Sequence, residues 1–349
     1  MTQAVDQISV IICAYTEKRW NELLAAVESV RHQTHTPKEI IVVIDHNPTL
    51  LMRAQEHLPD VIVTENKKRK GLSGARNTGI AVAQGEIVAF MDDDAIADEN
   101  WIANLVEYYS NPHVVGVGGK IDPHWIGDCP SWFPSEFNWV VGCTYHGMPM
   151  QATRVRNVIG ANMSMRRSIV TAIGGFRESF GWNKDEEVEN AGFKWLQHQT
   201  GDEETELCIR VTQQWPDSIW MYAASAVVRH CVSVQRTHWK YFLWRCYYEG
   251  LGKALLVGIH GPQTGLSSER TYTFKVLPRG IIDGIKDALF KQHLMGLVRA
   301  GAIVAGLMAT MIGYLVGSIS SRISDLQGIK VVHVASSAQH EDTLPINVQ

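Results

Sequence analysis

Glu86-Ile87-Val88-Ala89-Phe90-Met91-Asp92-Asp93-Asp94 passes without a break from a largely apolar run into three adjacent carboxylates. A short continuous apolar run bounded by polar residues reads as a strand buried on both faces, as in a parallel sheet covered by helices. The chain before it keeps the same rhythm. Ile8 to Cys13 reads as a first strand, and Trp20 to Val30 carries Leu23, Leu24, Val27 and Val30 at helical spacing. Glu39 to Ile44 is a second buried strand, a helix and a third strand, Val61 to Thr64, follow, and Gly71 to Ala83 reads as a loop entering a helix. Strands alternating with helices predict βαβ units and a parallel sheet. In open sheets of that kind ligands bind outside the carboxyl ends of the strands, and the loops after the first, second and fourth strands are polar here.

With 349 residues, 45% of them hydrophobic, the chain is long enough for one large α/β core and an appendage. A formal charge of -4 and a pI near 6.4 give no basic footprint for nucleic acid. The six cysteines form no C-x-x-C pair and no His/Cys metal spacing, so they read as reduced, mostly buried thiols. Met1 to Ser9 lacks a basic region followed by an apolar one, so the expectation is no secretory signal and a location in the cytosol. Ala300 to Ile319 is free of charge, and ~20 such residues are enough to cross a bilayer as a helix. Gly301, Gly306, Gly313 and Gly317 dilute its hydrophobicity, so a spanning helix competes there with a monotopic or a packed soluble one. Beyond Pro112 the pattern loosens into a Trp- and Gly-rich middle, and residues 336–349 read as a disordered tail.

Adjacent carboxylates repel unless a cation or a network of donors compensates. A divalent Mg or Mn ion is the simplest compensation, because it takes carboxylate oxygens and keeps positions open for substrate phosphates. The competing reading of Asp92-Asp93-Asp94 is a solvated acidic loop before a helix. Upstream, Lys67-Lys68-Arg69-Lys70 leads into Gly71-Leu72-Ser73-Gly74-Ala75-Arg76-Asn77, a small-residue loop opening a helix, whose N-terminus and Arg76 favour an anion. The loop is neither G-x-G-x-x-G nor a Walker sequence, which argues against dinucleotide redox chemistry and P-loop phosphoryl transfer.

Together these residues resemble an inverting GT-A glycosyltransferase of family 2, over roughly residues 8 to 250. The resemblance is carried by Ala14-Tyr15-Thr16-Glu17, Asp45, the Gly71 to Asn77 loop, the D-x-D-like Asp92-Asp93-Asp94 and the acidic Glu203-Glu204. It implies a Rossmann-like, mostly parallel central sheet flanked by helices. It also implies that Ala14, Tyr15, Glu17, Gly71 and Asp45 line the nucleotide pocket, with Asp45 on the base, commonly uracil. Arg76 would orient the nucleotide or the first acid, Asp92 would face ribose or metal, Asp94 would ligate the metal, and Asp93 is the weakest of the three. Ile44-Asp45-His46-Asn47 departs from the family, which often shows two acids followed by Gly and Ser.

Inverting transfer needs one carboxylate to deprotonate the acceptor hydroxyl while the metal stabilises the departing diphosphate. The segment Gly201-Asp202-Glu203-Glu204-Thr205-Glu206 resembles the family's Glu-Asp motif, which puts Glu204 first as the base, then Glu203, with Asp202 still open. Asn162, within Val158 to Ser164, is a candidate sugar contact, and Trp125 a candidate stacking surface for acceptor. His230 is a further candidate metal ligand, and Arg245, with Lys253, a candidate clamp for a diphosphate or an anionic lipid acceptor. The processive family's Q-x-x-R-W is missing, which argues for one sugar per encounter. The expectation is a catalytic domain over 1–255, with the nucleotide-sugar half at 1–122 and the acceptor half at 123–255. A helical region over 256–335, a candidate for membrane association, follows. The donor would be a nucleotide sugar, UDP-linked by preference, and the acceptor a carbohydrate or lipid-linked hydroxyl at the cytoplasmic face of a membrane. A sugar-nucleotide or phosphosugar transferase of similar fold, and a sugar-binding domain that has lost turnover, are the alternatives.

Overall fold

The alternation of buried runs and helices builds the first half of the protein as expected. In the computed structural model, which describes residues 7–180, 201–290 and 294–326, four strands are linked in parallel. They are β1 (Ile8–Ala14), β2 (Glu39–Ile44), β3 (Ile62–Glu65) and β4 (Ile87–Asp92), ordered β3-β2-β1-β4. The helices α1 (Trp20–Arg31), α2 (Pro48–His57) and α3 (Leu72–Val82) supply the crossovers.

Past β4 come β5 (Ala95–Ala97), α4 (Trp101–Val106), β6 (Val114–Trp125), β7 (Thr153–Val155), β8 (Asn162–Arg166), α5 (Arg167–Ala172), α6 (Glu203–Gln214) and β9 (Ile219–Val232). The sheet continues β4-β8-β6-β9-β5, with β7 also on β9. Here β8 is antiparallel to both β4 and β6, and β5 and β7 are antiparallel to β9, while β6 and β9 are parallel. The mostly parallel sheet expected from the sequence is therefore parallel in its first half and mixed beyond it. Helical crossovers force parallel neighbours, and once the strand–helix alternation stops at β4 a strand can enter from either end.

Side chains alternate between two core layers, one on each face of the sheet. On β4, Ile87, Ala89 and Met91 enter one layer and Val88 and Phe90 the other. By the same alternation Asp92 emerges on the Phe90 face, toward α3. The expected boundaries at 122 and 255 both fall inside elements, because β6 runs through the first and α7 (Trp239–His260) through the second. After α7 come two short helices, α8 (Pro262–Gly265) and α9 (Ser267–Thr271), and then α10 (Leu277–Phe290) and α11 (Met295–Leu326). The apolar segment 300–319 lies inside α11, which packs on α7 and α10. The tail expected to be disordered, 336–349, lies outside the described residues. All six cysteines are free, with Cys143, Cys208 and Cys246 buried and Cys129 exposed.

Candidate active site

The acidic cluster sits where β4 ends and the chain turns into β5. Asp92 is 31% exposed, whereas the side chains of Asp93 and Asp94 are nearly buried. Two cations missed by sequence reasoning hold this turn. Arg19, just before α1, places Nη1 2.8 Å from Asp93 Oδ1 and 3.0 Å from Asp94 Oδ2. Arg236 approaches Asp94 Oδ2 at 3.9 Å. Their positions depend on long-range packing that no local motif announces.

His230 arrives at the end of β9, whose pairing with β5 sets Ala95 opposite it, one residue beyond Asp94. Its Nε2 lies 3.1 Å from Asp94 Oδ1 and 3.9 Å from Asp92 Oδ2. Burial opposes a charge on His230, but the Asp94 carboxylate outweighs it and pushes the imidazole up to about 10. Burial likewise works against the Asp94 anion, yet His230 and Arg19 hold its carboxyl below the usual range. Asp93 is pushed up to about 7 because burial, with the Asp94 and Asp92 charges beside it, outweighs Arg19.

A divalent ion fits the other two acids. Asp92, Asp94 and His230 each offer a ligand atom, all within 4.8 Å of one another. In the structure the His230 imidazolium compensates Asp94 Oδ1, and an ion bound here would take the place of the proton on Nε2, so binding would release that proton. Asp93 stands outside the set.

Arg76 on α3 joins this cluster to the acids of α6. It is buried, stacks its guanidinium 5.8 Å from the Phe90 ring and 5.3 Å from the Phe176 ring, and reaches Asp92 Oδ1 at 3.8 Å and Glu203 Oε1 at 3.1 Å. Gly160 makes room for it, since a Cβ there would lie 2.6 Å from Arg76 Nη2. The small residues of Val158 to Ser164 thus serve a close approach, although to a side chain of the protein.

At the start of α6 three consecutive acids meet different fates. Asp202 accepts from Lys253 Nζ at 2.9 Å, and burial, only partly offset by that ammonium, pushes it up to about 6. Glu203 accepts from Arg76, and burial raises its carboxyl despite that partner. Glu204 is half-buried, and among the described residues no hydrogen bond or ion pair reaches its carboxylate. Burial first, then the Glu203 charge, raise it well above the ordinary glutamate value. An unclaimed, solvent-reachable carboxylate with a raised pKa is what a general base near neutral pH requires. Glu204 thus differs from Glu203 and Asp202, whose carboxylates accept from Arg76 and Lys253.

The remaining candidates divide. Asp45 is buried, and its Oδ1 accepts from Asn66 Nδ2 at 2.6 Å and its Oδ2 from the Gly71 backbone N–H at 2.9 Å. It therefore anchors the loop before α3, where Gly71 adopts a φ of 123° that a side chain would disfavour. Ala14 ends β1 and its carbonyl accepts from the Asp45 N–H at 2.8 Å. Tyr15 and Glu17 are exposed at the same strand end, with Arg19 5.7 Å from the Tyr15 ring centroid.

Asn162 requires correction. It is fully buried; its Oδ1 accepts from Trp101 Nε1 at 2.7 Å and its Nδ2 donates to the carbonyls of Lys120 and Ala226 at 2.9 Å each. That amide ties β8 to β6 and β9 in the core and presents nothing to a sugar. Trp125 is half-buried, edge-on to Phe133 at 5.3 Å. Its neighbours Trp132, Phe133 and Phe137 all pack on Phe242 of α7, so most of the aromatic density is core. Arg245 lies beside the α6 acids, with Nη2 3.8 Å from the position of a Gly201 Cβ.

Comparison with known proteins now bears on this arrangement. Residues 9–174, which include the acidic cluster, the Gly71 loop and Arg76, match the model of glycosyl transferase family 2. The chain is also 29% identical over 321 residues to a glucosyl-dolichyl phosphate glucuronosyltransferase of Haloferax volcanii, covering 91% of this chain and 98% of that one. The chain is a glycosyltransferase with a family 2 domain over residues 9–174. This glycosyltransferase shares 30% identity over 112 residues, 32% of its length and 44% of the relative's, with the Escherichia coli enzyme WfaP. That protein is described as a UDP-Glc:alpha-D-GlcNAc-diphosphoundecaprenol beta-1,3-glucosyltransferase. Among solved structures, the mannosyltransferase PcManGT from Pyrobaculum calidifontis, in complex with GDP-Man and Mn2+, aligns with a TM-score of 0.49 at 16% identity, covering 87% of this chain and 86% of that one.

Proposed function

We propose that this glycosyltransferase moves one sugar per encounter, with inversion, from a nucleotide-diphosphate sugar to a hydroxyl of a lipid-linked saccharide. The observation that carries the reading is the bridge made by Arg76, which spans Asp92 of the donor-side cluster and Glu203 beside the free Glu204. Two chemical functions, holding a diphosphate and removing a proton, therefore meet around one buried guanidinium. The lipid-linked acceptor is favoured by the relatives, whose names carry dolichyl phosphate and diphosphoundecaprenol. A UDP-linked donor is favoured by the donor in the WfaP name.

In this reading Asp92, Asp94 and His230 hold a Mg or Mn ion, which when bound supplies charge stabilisation to the departing diphosphate. Glu204 takes the proton from the acceptor hydroxyl as that oxygen bonds to the anomeric carbon and the bond from carbon to the diphosphate oxygen breaks. Glu203 and Asp202, neutralised by Arg76 and Lys253, keep the turn in place without competing for that proton. Arg19 keeps Asp93 turned away from the ligand set. Tyr15, Glu17 and the Gly71 loop line the nucleotide side, and Arg245 and Trp125 the acceptor side. The sugar-nucleotide transferase alternative predicts pyrophosphate exchange instead. Incubation with UDP-sugars, Mn²⁺ and a lipid-linked saccharide, followed by NMR of the product, should show nucleoside diphosphate release and an anomeric configuration opposite to that of the donor. Pyrophosphate exchange or a retained configuration would contradict the proposal.

A further inference from the structure

The C-terminal helices show two unlike faces. One face of α11 is seated on α7 through small residues: a Cβ on Gly313 would overlap the Tyr247 carbonyl, and one on Gly250 would overlap the Thr310 carbonyl. Gly306 meets Phe137 and Phe242 in the same way, and Gly317 meets Ala254. A neighbouring flank of α7 reaches the start of α6 through Lys253 on Asp202. So α11 is bound along its length to the layer that carries the active site, and leaving it would expose a glycine-lined seam.

The outward face of α11 is apolar without interruption. Val304, Met308, Leu315 and Ile319, with Ile282 and Leu289 on α10, are between 42 and 69% exposed. Adjoining exposed apolar side chains on two helices mark an interaction surface. The charges beside it are biased. Among the described residues from 270 to 299, Arg270, Lys275, Arg279, Lys286 and Arg299 outnumber the acids Asp283 and Asp287, which pair with Arg279 and Arg299, in a chain whose net charge is -4. Apolar side chains flanked by cations suit an anionic lipid surface, where burial of hydrophobic area and headgroup attraction add. A symmetric contact with a second copy would set the same cations against themselves.

We infer that α10 and α11 lie in the plane of an anionic bilayer as a monotopic seat, with α11 resting on α7 instead of crossing the membrane, so that the catalytic cleft is held at the lipid surface. This deepens the reading of a lipid-linked acceptor and rests on it for its purpose. The test nevertheless uses neither donor nor acceptor, so its failure leaves sugar transfer standing. The full chain is mixed with vesicles of phosphatidylcholine alone or with phosphatidylglycerol and floated on a gradient. It should float with the anionic vesicles, and Met308→Glu with Leu315→Glu, both at exposed positions, should cut binding by about tenfold or more while leaving the circular dichroism unchanged. Wild type that stays unbound overturns the proposal, as does self-association in buffer that the same variant abolishes without any vesicle binding. Topology is read separately, with an epitope fused after Gln349, in sealed membrane vesicles whose catalytic domains face outward. Protease should remove the epitope and digest the domain together, and an epitope protected inside would show a spanning helix and overturn the in-plane seat.

Discussion

Asp94 carries the heaviest load of any single residue. Its carboxylate meets His230 at 3.1 Å and Arg19 at 3.0 Å, and it shares a candidate metal set with Asp92. Asp94→Asn keeps the shape and removes the charge, so calorimetry should show metal-dependent binding of a UDP-sugar lost, while undiminished binding would take Asp94 out of the ligand set. Arg76 works differently, because it is buried between two acids and has no route to solvent. Removing one partner of a buried pair typically costs about 3–5 kcal/mol, so its substitution disturbs folding as well as chemistry and makes a poor probe of mechanism. Glu204 is the cleaner probe, since it is only half-buried and Arg76, which feels its charge, keeps its pairing with Glu203 when that charge is removed.

At the level of elements, the start of α6 sorts its acids by partner, and pH separates them further. Asp202 titrates at about 6 in the folded protein against an ordinary 3.8. Between those values the folded chain holds a proton that the unfolded chain has released. That contribution is therefore complete below the unfolded value and lost as pH rises through about 6, amounting to about 3 kcal/mol at one to two units above the folded value. Urea unfolding across this window should show an Asp202→Asn variant with a flatter loss of stability on raising the pH than wild type, and parallel curves would refute the assignment. The helix start itself was visible in the sequence as a crowd of acids. Which acid was free was not, because Lys253 and Arg76 reach it from elements 51 and 127 residues away. The same limit explains Asn162. A polar residue in a small-residue strand looks like a ligand contact, and only the pairing of β8 with β6 shows its amide filling a gap in the core. By contrast β1, β2 and β4 were readable because strands buried on both faces are written as unbroken apolar runs.

Across the whole molecule, the sheet brings together the ends of β1, β4 and β9, while α3, α6 and α7 close the site from the other side through Arg76, Glu203 and Lys253. The placement of Tyr15, Asp92 and Asp94 at strand ends was legible from the sequence. The link from Asp92 through Arg76 to the start of α6 was not, because the antiparallel insertion of β8 and the parallel return of β9 set those distances. The account as a whole depends on division of labour between a donor-holding cluster and a separate base. Glu204→Gln measures that division most directly, by donor affinity in calorimetry and turnover with the lipid-linked acceptor in the same preparation. Donor binding should be unchanged and transfer should fall by about 10²–10⁴-fold. A variant that still turns over at the wild-type rate, or that loses donor binding together with transfer, would contradict the account.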